Sequence, residues 1–148
     1  ALIVRPHNFY GPRAGRDHVI PELCKKIVDR VEPFVLYSPE ETRTFCYIKD
    51  AVEAMQSLMD SKSTDGQPVE AVNIGNTDEV TMLELAKKMF EVSGWTPKKL
   101  EFKPSSLGSV KRRLADISKI KKLVGWEPTT KLADGLRATL AWYEKYPR

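Results

Sequence analysis

The sequence predicts a mixed α/β fold, and three observations carry that expectation. Short apolar runs at residues 1–4 and 34–37, and a mostly apolar stretch at 69–74, are bounded by turn formers and are too short to be helices. Between and after them, apolar residues recur at spacings of three and four, the period of a helix with one buried face. The first run, Ala1, Leu2, Ile3 and Val4, has no polar member, as expected of a strand covered on both faces within a parallel sheet. Its partners are not evident in the sequence. We therefore expect the chain to be the C-terminal portion of a larger protein, with Leu2 to Val4 forming an apolar edge.

The elements follow in order. The first strand runs into a turn built on Gly11 and Pro12. Asp17 is placed to cap a helix with Pro21 in its first turn. Val19, Ile20, Leu23, Cys24, Ile27 and Val31 make that helix's apolar face. Phe34 to Tyr37 reads as a strand, Ser38 to Thr42 as a polar loop and Arg43 to Ile48 as extended. Asp50 and Glu53 resemble a capping box, opening a helix that turns Val52, Met55, Leu58 and Met59 inward. Ser61 to Pro68 is rich in turn formers and leads to a strand over Val69 to Ile74. Thr81 and Glu84 form a second capping-box pair, followed by the stripe Met82, Leu85, Ala86, Met89 and Phe90 and a stop at Gly94. Leu100 to Phe102 is a brief strand. Asp116 begins a short helix through Ile117, Ile120, Leu123 and Val124, stopped by Gly125. Thr130 caps the last helix, which carries Leu132, Leu136, Leu140 and Tyr143.

Composition narrows the function classes. The chain has 148 residues, 41% apolar and 30% charged, as in a soluble globular domain. Its apolar runs are far too short to span a bilayer, so no membrane partner is expected. No basic-plus-apolar leader precedes the first strand, and a cytoplasmic, reducing location is expected. Cys24 and Cys46 have no metal-like or redox-like spacing and read as buried free thiols. The 24 basic and 20 acidic residues give a net charge of +4, too mild to signal nucleic acid. His7 and His18 lack paired ligands at metal spacing, and no Ser-His-Asp arrangement stands out.

The candidate site residues lie at strand ends and in loops. Arg5, Asn8 and Arg13 surround the first turn, just past the carboxyl end of a strand, where open α/β sheets bind ligands. An amide both donates and accepts, and a guanidinium fork matches phosphate oxygens. Equally, Asn8 and Gly11 can simply build a turn. Arg43, Lys111-Arg112-Arg113 and the strand-end Asn73 are further candidates, each with a plain surface or structural role as its alternative. The three tryptophans, Trp95, Trp126 and Trp142, read as packing residues.

Together these segments resemble the C-terminal portion of the extended short-chain dehydrogenase/reductase family, and its nucleotide-sugar epimerases and dehydratases most of all. Arg5 to Pro12 is similar to that family's Arg-x-x-Asn-x-Tyr-Gly-Pro. Arg43 to Asp50 is similar to Arg-x-Phe-x-Tyr-Val-x-Asp. Asn73-Ile74-Gly75 and the segment from Arg113 through Leu123-Val124-Gly125-Trp126-Glu127-Pro128 complete an ordered set. The resemblance implies one or two strands of a Rossmann-type nucleotide-binding sheet plus a small mixed α/β substrate-binding lobe, residues 1–148, with the N-terminal dinucleotide-binding part absent. It implies that Asn8, Arg43 and Arg112 or Arg113 hold the diphosphate of a nucleotide sugar. Val19, Ile20 and Pro21 would lie near the base, Tyr37 beside base and ribose, and Asn73 along the nucleotide pocket. Pro6 and His7 would lie near the nicotinamide of NAD or NADP. The loop after Tyr37 reads Ser-Pro-Glu-Glu-Thr, without the family's usual glycines. No Gly-x-x-Gly-x-x-Gly and no Tyr-x-x-x-Lys occurs. The resemblance therefore implies a parent enzyme of carbohydrate metabolism, a homodimer, and a chain that alone has no catalytic residue, no tightly held cofactor and no activity. A ligand-sensing relative without chemistry, or a basic nucleic-acid-binding module, are the alternatives.

Overall fold

The computed structural model describes residues 3–15, 17–61, 71–104 and 109–146. β1 (Ile3–Pro6) and β2 (Phe9–Tyr10) are followed by α1 (Val19–Val28), β3 (Phe34–Tyr37), β4 (Thr42–Thr44), β5 (Cys46–Tyr47) and α2 (Ile48–Asp60). Then come β6 (Ala71–Ile74), β7 (Glu79–Thr81), α3 (Met82–Ser93), β8 (Leu100–Lys103), β9 (Arg112–Arg113), α4 (Ser118–Val124) and α5 (Leu132–Lys145). The expected mixed α/β class is what the chain adopts.

The strands form four small sheets. β1 pairs in parallel with β6, Ile3 opposite Ala71 and Pro6 opposite Ile74. The sequence showed both strands but not their pairing. Ile3 is half exposed and Arg5 exposed, so only part of β1 is covered by the described residues. β2 pairs with β5, and β3 with β8, both in parallel. β4 lies between antiparallel β7 and parallel β9.

Two apolar clusters hold these pieces. One gathers Ile20, Leu23 and Ile27 of α1, Phe34 of β3, Leu85 and Met89 of α3, and Leu136 and Leu140 of α5. The other gathers Ala51, Ala54 and Leu58 of α2, Val72 and Ile74 of β6, and Ile120 of α4. Phe34 meets Phe90 edge to face at 5.1 Å, a favoured aromatic geometry. Cys24 and Cys46 are fully buried, and burial pushes both thiols up to about 12. Both tight helix ends expected at glycine hold: Gly94 and Gly125 take φ of 66° and 69°, a conformation costly for any side chain with a Cβ. The Thr81–Glu84 capping box forms in full.

Other local expectations are corrected. His18, not Asp17, occupies the N-cap of α1, without a side-chain cap. Val31 lies past the end of α1 and is exposed. Ile48 opens α2 rather than closing a strand. Val52 and Met59 point to solvent, because the small side chains Ala51 and Ala54 let α2 approach the β1–β6 pair instead. Asp116 accepts from the Ser118 backbone N–H at 2.9 Å, but α4 starts at Ser118. The turn-rich stretch expected over 61–68 lies outside the described residues from 62 onward.

Asp50 and Thr130 are corrected together. Neither caps the helix it was expected to cap: Tyr47 precedes α2 and Lys131 precedes α5. Asp50 is buried and accepts from the Thr130 backbone N–H at 3.1 Å and the Thr130 hydroxyl at 2.8 Å, with Thr129 farther out at 3.4 Å. A buried carboxylate needs such donors, since an uncompensated buried charge is expensive. The clasp ties the start of α2 to the lead-in of α5. Replacing Asp50 with Ala should cost about 1–3 kcal/mol, leaving the half-buried Thr130 N–H and hydroxyl without their acceptor. Thr130→Val should cost less, and the double variant should fall short of the sum. Urea denaturation of the three variants checks this; full additivity would contradict the clasp.

Candidate functional site

The site begins with strand alternation. Successive side chains of a strand point to opposite faces. β4 therefore sends Arg43 to one face and Thr42 and Thr44 to the other. β9 lies in parallel register with it, Thr42 opposite Arg112 and Arg43 opposite Arg113. Across the antiparallel side, Val80 stands opposite Arg43 and Glu79 opposite Thr44. One face thus carries Arg43 and Arg113, and the other carries Thr42, Arg112 and Glu79.

The second face is an ion-pair network. Glu79 accepts from Arg112 Nε at 2.8 Å and Nη2 at 2.9 Å, a two-pronged pair, and from the Thr42 hydroxyl. These hydrogen bonds hold the Glu79 carboxyl down to about 2, and the same pairing raises Arg112. The first face looks into a cleft of about 580 Å³. Arg43 is fixed within it: Nη1 donates to the Thr42 carbonyl at 2.8 Å and reaches the Lys111 carbonyl at 3.4 Å, while Nη2 donates to Glu41 at 2.7 Å.

Asn8 closes the cleft from the β1 side. It takes the left-handed region, φ 45°, which Asn tolerates better than most residues, and so turns β1 into β2. Its Nδ2 donates to the Thr44 carbonyl at 2.9 Å, and its carbonyl accepts from the Cys46 N–H at 3.2 Å. The amide is thereby locked to the β4–β5 junction, with a second N–H and a carbonyl oxygen in its inventory. Val19, Ile20 and Pro21 line the same cleft from the start of α1, and Phe45 and Met82 add apolar wall.

The structure thus brings together Pro6, Asn8, Val19, Ile20, Pro21, Arg43 and Arg113. It leaves others outside. Of the two adjacent arginines, Arg113 lines the cleft and Arg112 pairs with Glu79 on the opposite face. Tyr37 ends β3, half exposed, with Lys26 Nζ 5.8 Å from its ring centre. Asn73 sits in β6 opposite Arg5, and its Nδ2 donates to the Asp116 carbonyl at 3.1 Å. Arg5 and Arg13 are exposed and do not line the cleft. His7 is just beyond β1, its N–H bonded to the Ile74 carbonyl at 2.9 Å. Gly75 packs against it so closely that an added Cβ would fall 3.0 Å from His7 Cβ and 2.6 Å from Ala115 Cβ. Sequence reasoning missed Asp17 and His18, which line the cleft, and Glu41 and Glu79, which hold the arginines. Glu41 lies in the polar loop just before β4, where strand spacing gives no signal. Among the described residues no His/Cys/Asp/Glu group is arranged to hold a metal ion, and no helix is long and apolar enough to cross a membrane.

A family profile described as GDP-mannose 4,6 dehydratase matches residues 1–139. UDP-glucuronic acid decarboxylase 4 of Arabidopsis thaliana is 38% identical over 137 residues, covering 90% of this chain and 29% of the relative. Probable GDP-L-fucose synthase 1 of Oryza sativa subsp. japonica is 34% identical, covering 97% of this chain and 44% of the relative. Among solved structures, UDP-glucuronic acid 4-epimerase from Bacillus cereus, in complex with UDP-glucuronic acid and NAD, superposes with a TM-score of 0.88 at 28% identity. That likeness covers 98% of this chain and 45% of the other. UDP-glucose 4-epimerase from Thermotoga maritima with UDP-glucose gives 0.85 at 28% identity, over 99% and 47%. The chain spans less than half the length of each of these relatives.

The Glu79 pairing has a pH signature. A carboxyl lowered to about 2 from an ordinary 4.5 contributes stability that is complete above about 4.5 and is lost as pH falls toward 2. The thermal midpoint should fall more steeply through that window in the native chain than in Glu79→Gln. Parallel curves would contradict the pairing.

Proposed function

The chain belongs to the extended short-chain dehydrogenase/reductase family of nucleotide-sugar epimerases, dehydratases and decarboxylases, and from that footing we propose that it is the nucleotide-sugar-binding portion of such an NAD-dependent enzyme. The observation that carries this reading is the shared cleft of Asn8, Arg43 and Arg113. A diphosphate is a compact, multiply charged anion. Two guanidinium groups on one sheet face and an amide across from them match it in charge and in donors. Each charge-assisted contact is worth about 1.5–3 kcal/mol.

The base end follows from the same cleft. Val19, Ile20 and Pro21 at the start of α1, with Phe45 and Met82, offer an apolar wall against which a flat base can rest. Arg112, Tyr37 and Asn73 take no direct part in this reading. Anchoring the diphosphate and base fixes the sugar's position, so remote binding orients the reacting carbons.

For the cofactor, the chain offers only a margin. Pro6 and His7 stand at the carboxyl end of β1, where a nicotinamide would lie, and the close packing of Gly75 on His7 keeps that strand end narrow. NAD, when bound, supplies transient oxidation of the sugar. The residues here would border it; no glycine-rich phosphate loop and no Tyr-x-x-x-Lys is present to hold it or move its proton. The chain alone is accordingly proposed to be inactive, with a homodimer as the parent's assembly. Turnover of a nucleotide sugar by the isolated chain with NAD would overturn the inactivity.

Binding is the more direct test. Calorimetric titration with UDP should show a weakening of about 10- to 100-fold for Arg113→Ala, the loss of one charge-assisted fork. Arg112→Ala removes no guanidinium from the cleft and acts only through the β9 register, so it should weaken binding by less than Arg113→Ala. Equal losses from the two, or no binding by the native chain, would contradict the reading.

A further inference from the structure

We propose that Glu41 is an internal counter-anion for Arg43, competing with a bound diphosphate for its guanidinium and so limiting how tightly the cleft holds its ligand. The proposal rests on the nucleotide-sugar reading above and adds a residue that tunes it. Glu41 lies two residues before Arg43, just ahead of β4. Its Oε2 is 2.7 Å from Arg43 Nη2 and also accepts from the Ser109 hydroxyl at 2.7 Å. Both charged side chains are largely shielded, 13% and 12% exposed, so solvent screens their interaction far less than that of a surface pair.

Donor accounting shows the competition. A guanidinium has five N–H groups. Nη1 is directed at the Thr42 and Lys111 carbonyls, and Nη2 gives one hydrogen to Glu41. Among the described residues, the second Nη2 hydrogen and Nε–H are left for an incoming anion. Arg113 differs: it is exposed, and no carboxylate among the described residues pairs with it.

Charge points the same way. Arg43 and Arg113 are direct register partners, and like charges opposite each other across a strand pair repel. That repulsion is relieved either by Glu41 or by a diphosphate. Because Glu41 already relieves it, the ligand gains less. Removing the Glu41 charge should therefore strengthen anion binding, whereas removing an ordinary structural acid near a site would weaken it or leave it unchanged.

The test is a double-mutant cycle on the full chain, titrated calorimetrically with inorganic pyrophosphate and with UDP. Glu41→Gln keeps the side-chain length and an acceptor for Ser109. It should tighten pyrophosphate binding by about tenfold, the scale of one partly screened unit charge at this range. In an Arg43→Ala background the same change should have less than about a twofold effect. A cooperative melt establishes that each variant is folded; if Glu41→Gln is not, Glu41→Met removes the same charge with similar volume, and the same tightening is expected. Unchanged or weaker pyrophosphate binding in the folded variant overturns the proposal, as does equal tightening with and without Arg43. The two readings separate cleanly. UDP binding lost in Arg113→Ala but insensitive to Glu41 sinks the counter-anion alone. Pyrophosphate binding that responds to Glu41, with UDP bound no more tightly than pyrophosphate, upholds the counter-anion and sinks the nucleotide reading.

Discussion

The parallel register of β9 against β4 is the constraint on which the site depends. It makes Arg43 and Arg113 partners and sends Arg112 away from them. A slip of one residue would exchange Arg113 for Arg112, because strand alternation has a period of two. Two features resist that slip. Arg112 is paired through two nitrogens with Glu79 on the far face, and Arg43 Nη1 reaches across to the Lys111 carbonyl just before β9. β9 is only two residues long, so side-chain pairing rather than ladder length fixes where it sits.

The rest of the fold holds that small sheet against its neighbours. The Asp50 clasp joins the start of α2, which directly follows β5, to the lead-in of α5. α5 packs with α1 and α3 around Leu136 and Leu140, and α1 presents Val19 to Pro21 to the cleft. Asn8 bridges the β1 side to Thr44. The cleft is thus walled by segments far apart in sequence.

Much of this was legible in the sequence where local chemistry decides. The Thr81–Glu84 box and the glycine stops of α3 and α4 depend on neighbours within four residues, and the strands read at 34–37 and 100–102 showed as short stretches between turn formers. The errors arose where tertiary partners outbid local ones. Asp50 and Thr130 each looked like a helix cap, yet they serve each other across 80 residues. Val52 and Met59 fit a helical stripe, but the alanines of α2 pack closer. For the site, Asn8 and Arg43 stood out as a strand-end amide and a flanked cation. The choice between Arg112 and Arg113 needed a register, which no single strand contains. Glu79 was invisible for the same reason, and Glu41 because it sits in the loop ahead of β4.

Arg43 and Arg113 are proposed to grip one anion from one face of the β4–β9 pair. The most direct measurement is a titration of the nitrogen-15-labelled chain with UDP-glucose, following the arginine side-chain resonances. Arg43 and Arg113 should shift together and saturate with one dissociation constant, while Arg112 stays unchanged in its pair with Glu79. Shifts at Arg112 without Arg113, or at Arg43 and Arg113 with different saturation, would contradict it.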